Sequence, residues 1–259
     1  MTSPFHRHGI DHLSASSLNL WAAQPALWIM ERLLGRRTPM GIPAARGKAV
    51  EHGVHIGLID PAKPVDDCAA EAEREFNRLT ALAGDPRRDE ERPKIAGYVR
   101  GALAELRQYG VPDAYQHRVE IRLDDVPVPV VGYIDWRFAQ HGLIVDLKTA
   151  ERFPSEIGNG HGRQGAVYAS AHGNFGMRFA YAKPAPGKKE PQQVKVYEMS
   201  GDDVRRHLGA LRAIALSLGR FLAVSNDARE LAGLIVPDFD SFYWSDPAAR
   251  ASGREVFGF

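Results

Sequence analysis

Apolar residues recur at three- and four-residue steps through Ala49, Val50, Val54 and Leu58, the stripe of a helix that buries one face. Pro43 suits the first turn of that helix, whereas Gly53 and Gly57 weaken it, so packing against other elements must support it. Ahead of it, residues 14–34 predict a helix that opens at Ser14, Ser16 or Ser17 and breaks near Pro25. A basic loop punctuated by Pro and Gly covers 36–43. Two further helices are expected at 69–83, acidic and mostly solvated, and at 92–109.

After Pro112 the texture changes. The segments 117–123, 126–138 and 143–149 are rich in Val, Ile and Tyr, have turn residues between them, and read as consecutive antiparallel strands. Residues 163–172 return to helix, 178–183 and 194–199 read as strands, and Asp202 or Asp203 opens a long helix to about Val224. The tail from Ser225 reads as aromatic but irregular. Neither a repeat nor a long linker divides the chain. One domain over residues 1–259 is expected, with a motif core at about 44–200 and a C-terminal helix and tail over 201–259.

Composition narrows the possibilities. Hydrophobic residues at 44% and charged residues at 25% exclude a disordered or collagen-like chain. With 33 Lys plus Arg against 32 Asp plus Glu, a polyanionic partner requires positive charge gathered locally. The single cysteine, Cys68, excludes an internal disulfide and an all-cysteine zinc or iron–sulfur site. The opening residues lack the apolar core of a signal peptide. The apolar run from Leu20 to Met30 contains Gln24 and Pro25 and is too short to span a bilayer. A cytoplasmic protein with no membrane partner is expected.

The chemistry concentrates in two apolar strands around a turn near Gln140-His141-Gly142. A hairpin centred between Gln140 and His141 sets Asp135 opposite Asp146, and side-chain alternation brings Lys148 out on the Asp146 face. A one-residue slip would move Asp135 to the other face. Two facing carboxylates destabilise a sheet, and a divalent cation compensates best, with Mg²⁺ favouring carboxylate oxygens. The plainer reading is a strand-surface ion pair of Asp146 with Lys148, with Asp135 merely ending its strand. The apolar bracket of Leu143, Ile144, Val145 and Leu147 speaks against a solvated pair.

Taken in order, Gly132…Asp135, Asp146-Leu147-Lys148-Thr149 and Gln164…Tyr168 spell G-x-x-D, D-x-K-T and Q-x-x-x-Y. This set resembles the PD-(D/E)XK nuclease superfamily, in particular its RecB-like, phage-type exonuclease branch, and covers roughly residues 12–200. The segments LSASSLNLW and ARGKAVEHGVH are similar to the N-terminal region of that branch. The resemblance implies an α/β fold of restriction-endonuclease-like architecture, a mixed central sheet flanked by helices. It also implies Mg²⁺-dependent hydrolysis of DNA, with Mn²⁺ able to substitute, by an exonuclease of recombination or repair, in a branch that includes phage- and prophage-encoded enzymes.

By the same resemblance, Asp135 and Asp146 are the metal-binding acids and Lys148 the catalytic lysine, while Gln164 and Tyr168 position the scissile strand or the lysine. The branch usually shows histidine where Glu51 stands; either Glu51 or His55, one turn further on, supplies the first-helix ligand. Glu120 is a second-tier site that supports the metal shell or pairs with Arg122 or Arg137. Members with an iron–sulfur cluster carry a Cys-Pro pair where this chain has Gln24-Pro25, so no cluster is expected. Arg46, Lys48 and Arg163 are the candidate DNA contacts, with Arg36, Arg37 and Arg152 nearby; ordinary solvated side chains are the alternative. Ser14, Ser16 and Ser17 cap the first helix or meet phosphate. Expected partners are DNA and either a second copy of the chain or a recombination or single-strand-binding protein. A catalytically silent DNA-binding subunit and a structure-specific endonuclease remain open alternatives. No P-loop signature is present, so ATP-driven unwinding would have to come from another chain.

Overall fold

Runs of Val, Ile and aromatic residues between Ala114 and Glu198 build one five-stranded sheet, in a computed structural model that describes residues 2–189 and 191–258. The strands are β1 (Ala114–Ile121), β2 (Val130–Phe138), β3 (Leu143–Thr149), β4 (Gly176–Ala182) and β5 (Val194–Glu198), hydrogen-bonded in that order. All neighbours run antiparallel except β3 and β4, which are parallel and so need a crossover. The longer helices are α1 (Ala15–Ala23), α2 (Ile42–Ile59), α3 (Val65–Leu79), α4 (Ile95–Leu106), α5 (Asn159–Ala171), α6 (Gly201–Leu222) and α7 (Pro247–Phe257). Helix α5 is the crossover. The result is the expected α/β architecture, a mixed sheet flanked by helices.

Each face of the sheet buries its own core. On one side Val119, Ile121, Val130, Ile134, Ile144 and Phe179 pack under α1, α5 and α6. On the other Trp136, Phe138, Leu143, Val145 and Leu147 meet the apolar stripes of α2, α3 and α4. The stripe Ala49, Val50, Val54 and Leu58 is wholly buried there. Gly53 and Gly57 let α2 approach closely: a Cβ on Gly53 would fall 2.6 Å from the Cys68 carbonyl oxygen. The two glycines that weaken the helix thus permit the packing that holds it.

Several local expectations hold. Ser14 caps α1 by accepting from Ser17 N, and Pro25 starts a new helical piece after the break. Gly142 takes the left-handed conformation that closes the β2–β3 turn, with φ 59°. The β2–β3 register matches Trp136 with Val145 and Phe138 with Leu143, as expected from the turn.

Other expectations need correction. β1 begins at Ala114 rather than His117 and β2 at Val130 rather than Val126, because Val126 and Val128 are buried in the connection between them. Helix α3 starts at Val65 and is amphipathic rather than mostly solvated, burying Cys68, Ala69, Ala72 and Phe76. Ser200, not an aspartate, caps α6, while Asp203 reaches back to complete a capping box. The tail is not irregular: α7 packs beside Trp244, which shares a small core with Ala26, Leu27 and Met30.

Candidate active site

Along β2 the even-numbered apolar residues read as one face, yet Val130 and Ile134 join the core beneath α5 while Trp136 and Phe138 join the core beneath α2. The switch falls at Asp135. Beside it on β1, the backbone of Gln116 takes φ +47°, a left-handed value that costs a non-glycine residue of order 1–3 kcal/mol. The strand pair turns over there: Tyr115 sides with Trp136, and His117 pairs with Ile134. β2 and β3 also part company here. Their ladder ends at Trp136 with Val145, and the Leu147 amide donates to Asp135 Oδ2 at 2.9 Å. A carboxylate thus fills a gap in the ladder, which places it at the opening between the strands.

A cavity of about 620 Å³ opens at this point. Glu51, Gln116, Gly132, Asp135, Lys148, His161, Gln164 and Tyr168 all line it, brought from α2, β1, β2, β3 and α5. Asp146 lies behind Lys148 and is completely buried. Its Oδ1 is 2.6 Å from the Lys148 ammonium but out of line for a hydrogen bond, and its Oδ2 meets no donor at all. Lys148 Nζ donates to Gln164 Oε1 at 2.9 Å, and Gln164 Nε2 in turn to the Tyr168 hydroxyl at 2.7 Å. On α5, Gln164 and Tyr168 are one turn apart and both reach the sheet, Gln164 at Lys148 on β3 and Tyr168 over Gly132 on β2.

The electrostatics follow from crowding. Burial, then the charges of Asp146 and Glu51, pushes the Asp135 carboxyl well above the ordinary range. Burial likewise raises Glu51, against the opposing hydrogen bond from Gln116. For Lys148 burial disfavours the charge, but Asp146 and Asp135 outweigh it and hold the ammonium above its ordinary value. Burial lowers His161, helped by the Lys148 charge, and its Nδ1 is 2.8 Å from the Tyr181 hydroxyl. Among the described residues, no three His, Cys, Asp or Glu side chains are close enough to form a ready-made ion cage. Lys148 stands against Asp146, and the Gln116 amide lies between Glu51 and Asp135.

Most of the remaining candidates fall outside this cluster. His55 does not line the cavity; its ring stacks on Tyr115 at 3.5 Å and faces the Trp136 indole nitrogen. Glu120 is exposed and pairs with Arg118, not with Arg122 or Arg137. Arg46 is a correction: it is buried, bonded to Glu91 at 2.5 Å and to Thr149, and lies over the Tyr98 ring, so it ties α2 to its neighbours and presents no charge to a ligand. Lys48 is exposed but does not line the cavity, and half-buried Arg163 donates to the Asn159 carbonyl on its own helix. Ser14 and Ser16 line the cavity, and Ser14 does so while capping α1. Sequence reasoning missed Gln116, Tyr115 and His161. Nothing local marks them, since their roles depend on where α2 and β4 come to rest.

No family model and no curated protein matches the chain. A solved structure does: the crystal structure of a "putative exonuclease" from Eubacterium rectale superimposes with a TM-score of 0.59 at 15% identity, over 90% of this chain and 87% of that one. The structure of SSO0001 overlaps with a TM-score of 0.34 at 12% identity, over 74% of this chain and 84% of that one, too loosely to bear on the fold. No helix among the described residues is long and apolar enough to cross a membrane. The chain therefore shares the fold of the Eubacterium rectale protein.

Proposed function

We propose that this protein is a divalent-metal-dependent nuclease of the PD-(D/E)XK type that hydrolyses DNA, working as a cytoplasmic exonuclease in recombination or repair. One observation carries the reading: Glu51, Asp135 and Lys148 line one cavity directly in front of a completely buried Asp146 that keeps an oxygen without a donor. A buried carboxylate is costly unless it is paired in full, and a cation completes such a set. The donors are all carboxylate oxygens, which suits Mg²⁺ or Mn²⁺, so the residues present fit the ion. Asp135, Asp146 and Glu51 would hold it. Once bound, the cation supplies Lewis-acid polarisation of the phosphodiester and a water acidic enough to attack it.

The chain's own groups divide the remaining work. The Lys148 ammonium stays charged and faces the cavity, where it offsets negative charge growing on the phosphoryl oxygens. Gln164 takes one of its three N–H bonds, and Tyr168 fixes the rotation of the Gln164 amide. The cavity volume suits a nucleotide-sized group. The Eubacterium rectale "putative exonuclease" shares the fold, which supports this reading at that level.

The test uses linear and closed circular DNA with Mg²⁺ or Mn²⁺. The parent should digest linear DNA. Lys148→Ala and Asp146→Asn should each lose about 100-fold or more, the size of effect seen when a group that stabilises transition-state charge is removed. Digestion by both variants at the parent rate, or a parent that binds DNA without cutting it, would overturn the assignment. Cutting of closed circles would make the enzyme an endonuclease instead.

A further inference from the structure

Gln116 combines three properties that its residue type does not require: a left-handed backbone, an exposed side chain, and an amide directed at two acids. Its Nε2 donates to Glu51 Oε1 and lies 3.5 Å from Asp135 Oδ1, at the far limit of a hydrogen bond. The NH₂ end of a carboxamide carries only donors, so the partly positive end faces both carboxylates. The reverse rotation would set its carbonyl oxygen against two acids. The backbone on either side is anchored. Tyr115 packs beneath α2 against His55, and His117 is held in the ladder opposite Ile134. The side chain itself lines the open cavity.

We infer that Gln116 is a placeholder for the cation, its amide occupying oxygens of Glu51 and Asp135 until a divalent ion displaces it. The inference rests on the proposed metal-dependent reading of this site. It also accounts for the carboxylates failing to form a closed cage: an amide can bridge two of them but cannot draw in Asp146, which Lys148 already faces. Because the ion and the amide compete for the same oxygens, removing the amide must tighten ion binding. A residue that merely supported the fold would weaken it.

Calorimetric titration of the full chain with Mn²⁺ tests this, comparing the parent with Gln116→Ala and Gln116→Gly. Glycine relieves the left-handed backbone and guards against a misfolded variant. Both should bind Mn²⁺ about threefold to tenfold more tightly, as expected for the loss of one ordinary competing hydrogen bond. Unchanged or weaker binding in a folded variant overturns the inference and leaves the nuclease reading standing. A parent that takes up no Mn²⁺ at millimolar concentration overturns both. A urea-unfolding cycle in EDTA with Gln116→Ala and Glu51→Ala provides a metal-free readout. Coupling between the two substitutions is expected, and strict additivity overturns the inference.

Discussion

Gly132 passes so close beneath the Tyr168 ring that a Cβ there would come within 2.7 Å of Cε1. The glycine of the G-x-x-D motif is thus a seat for the tyrosine of the Q-x-x-x-Y motif, and its lack of a side chain lets α5 settle on β2. Gly132→Ala should displace the ring, cost about 1–3 kcal/mol in urea unfolding, and lower nuclease activity. Activity and stability both at parent levels would contradict this packing.

Lys148 is aimed from α5. Gln164→Ala removes the acceptor of one ammonium N–H, and Tyr168→Phe frees the Gln164 amide to rotate. Loss of a hydrogen bond to a charged group predicts a kcat about tenfold to a hundredfold lower for Gln164→Ala, with KM little changed. The Tyr168→Phe effect should be smaller. Steady-state kinetics on a short DNA substrate measures both; a change confined to KM would point to strand contact instead.

Arg46 should matter for stability and not for DNA. Truncating it removes one of two cationic partners of buried Glu91, with Lys94 remaining at 2.6 Å, which predicts a loss of about 1.5–3 kcal/mol for Arg46→Ala. Replacing the pair by Arg46→Met with Glu91→Leu should recover most of that loss. Salt-dependent DNA binding by the folded double variant should match the parent, and a weaker salt dependence would restore Arg46 to the interface.

Acid and base act in opposite directions on the site. Burial and neighbouring carboxylates raise Asp135 and Glu51 in the fold, so above the ordinary carboxylate pKa the folded chain holds more protons than the unfolded one. The contribution of these groups to stability therefore falls as pH rises through the window between the ordinary and the raised values. In EDTA, Glu51→Gln and Asp135→Asn should each flatten that fall in the urea midpoint. A slope unchanged from the parent would contradict the upward shift of these acids in the fold.

Much of this molecule was legible along the chain. The turn at Gly142 and the alternation around it set the β2–β3 register, and with it the common face of Asp146 and Lys148. The Q-x-x-x-Y spacing put Gln164 and Tyr168 on one side of a helix. These are local consequences of backbone geometry, which propagates residue by residue through a strand or a helix. Where Arg46 points, why Gln116 stands between two acids, how β2 changes face at Asp135, and that α7 closes over Trp244 were decided by tertiary packing. Each depends on which distant element fills the space beside a side chain. The free energy of a charge or an amide is set by that surrounding, and no run of neighbouring residues encodes it.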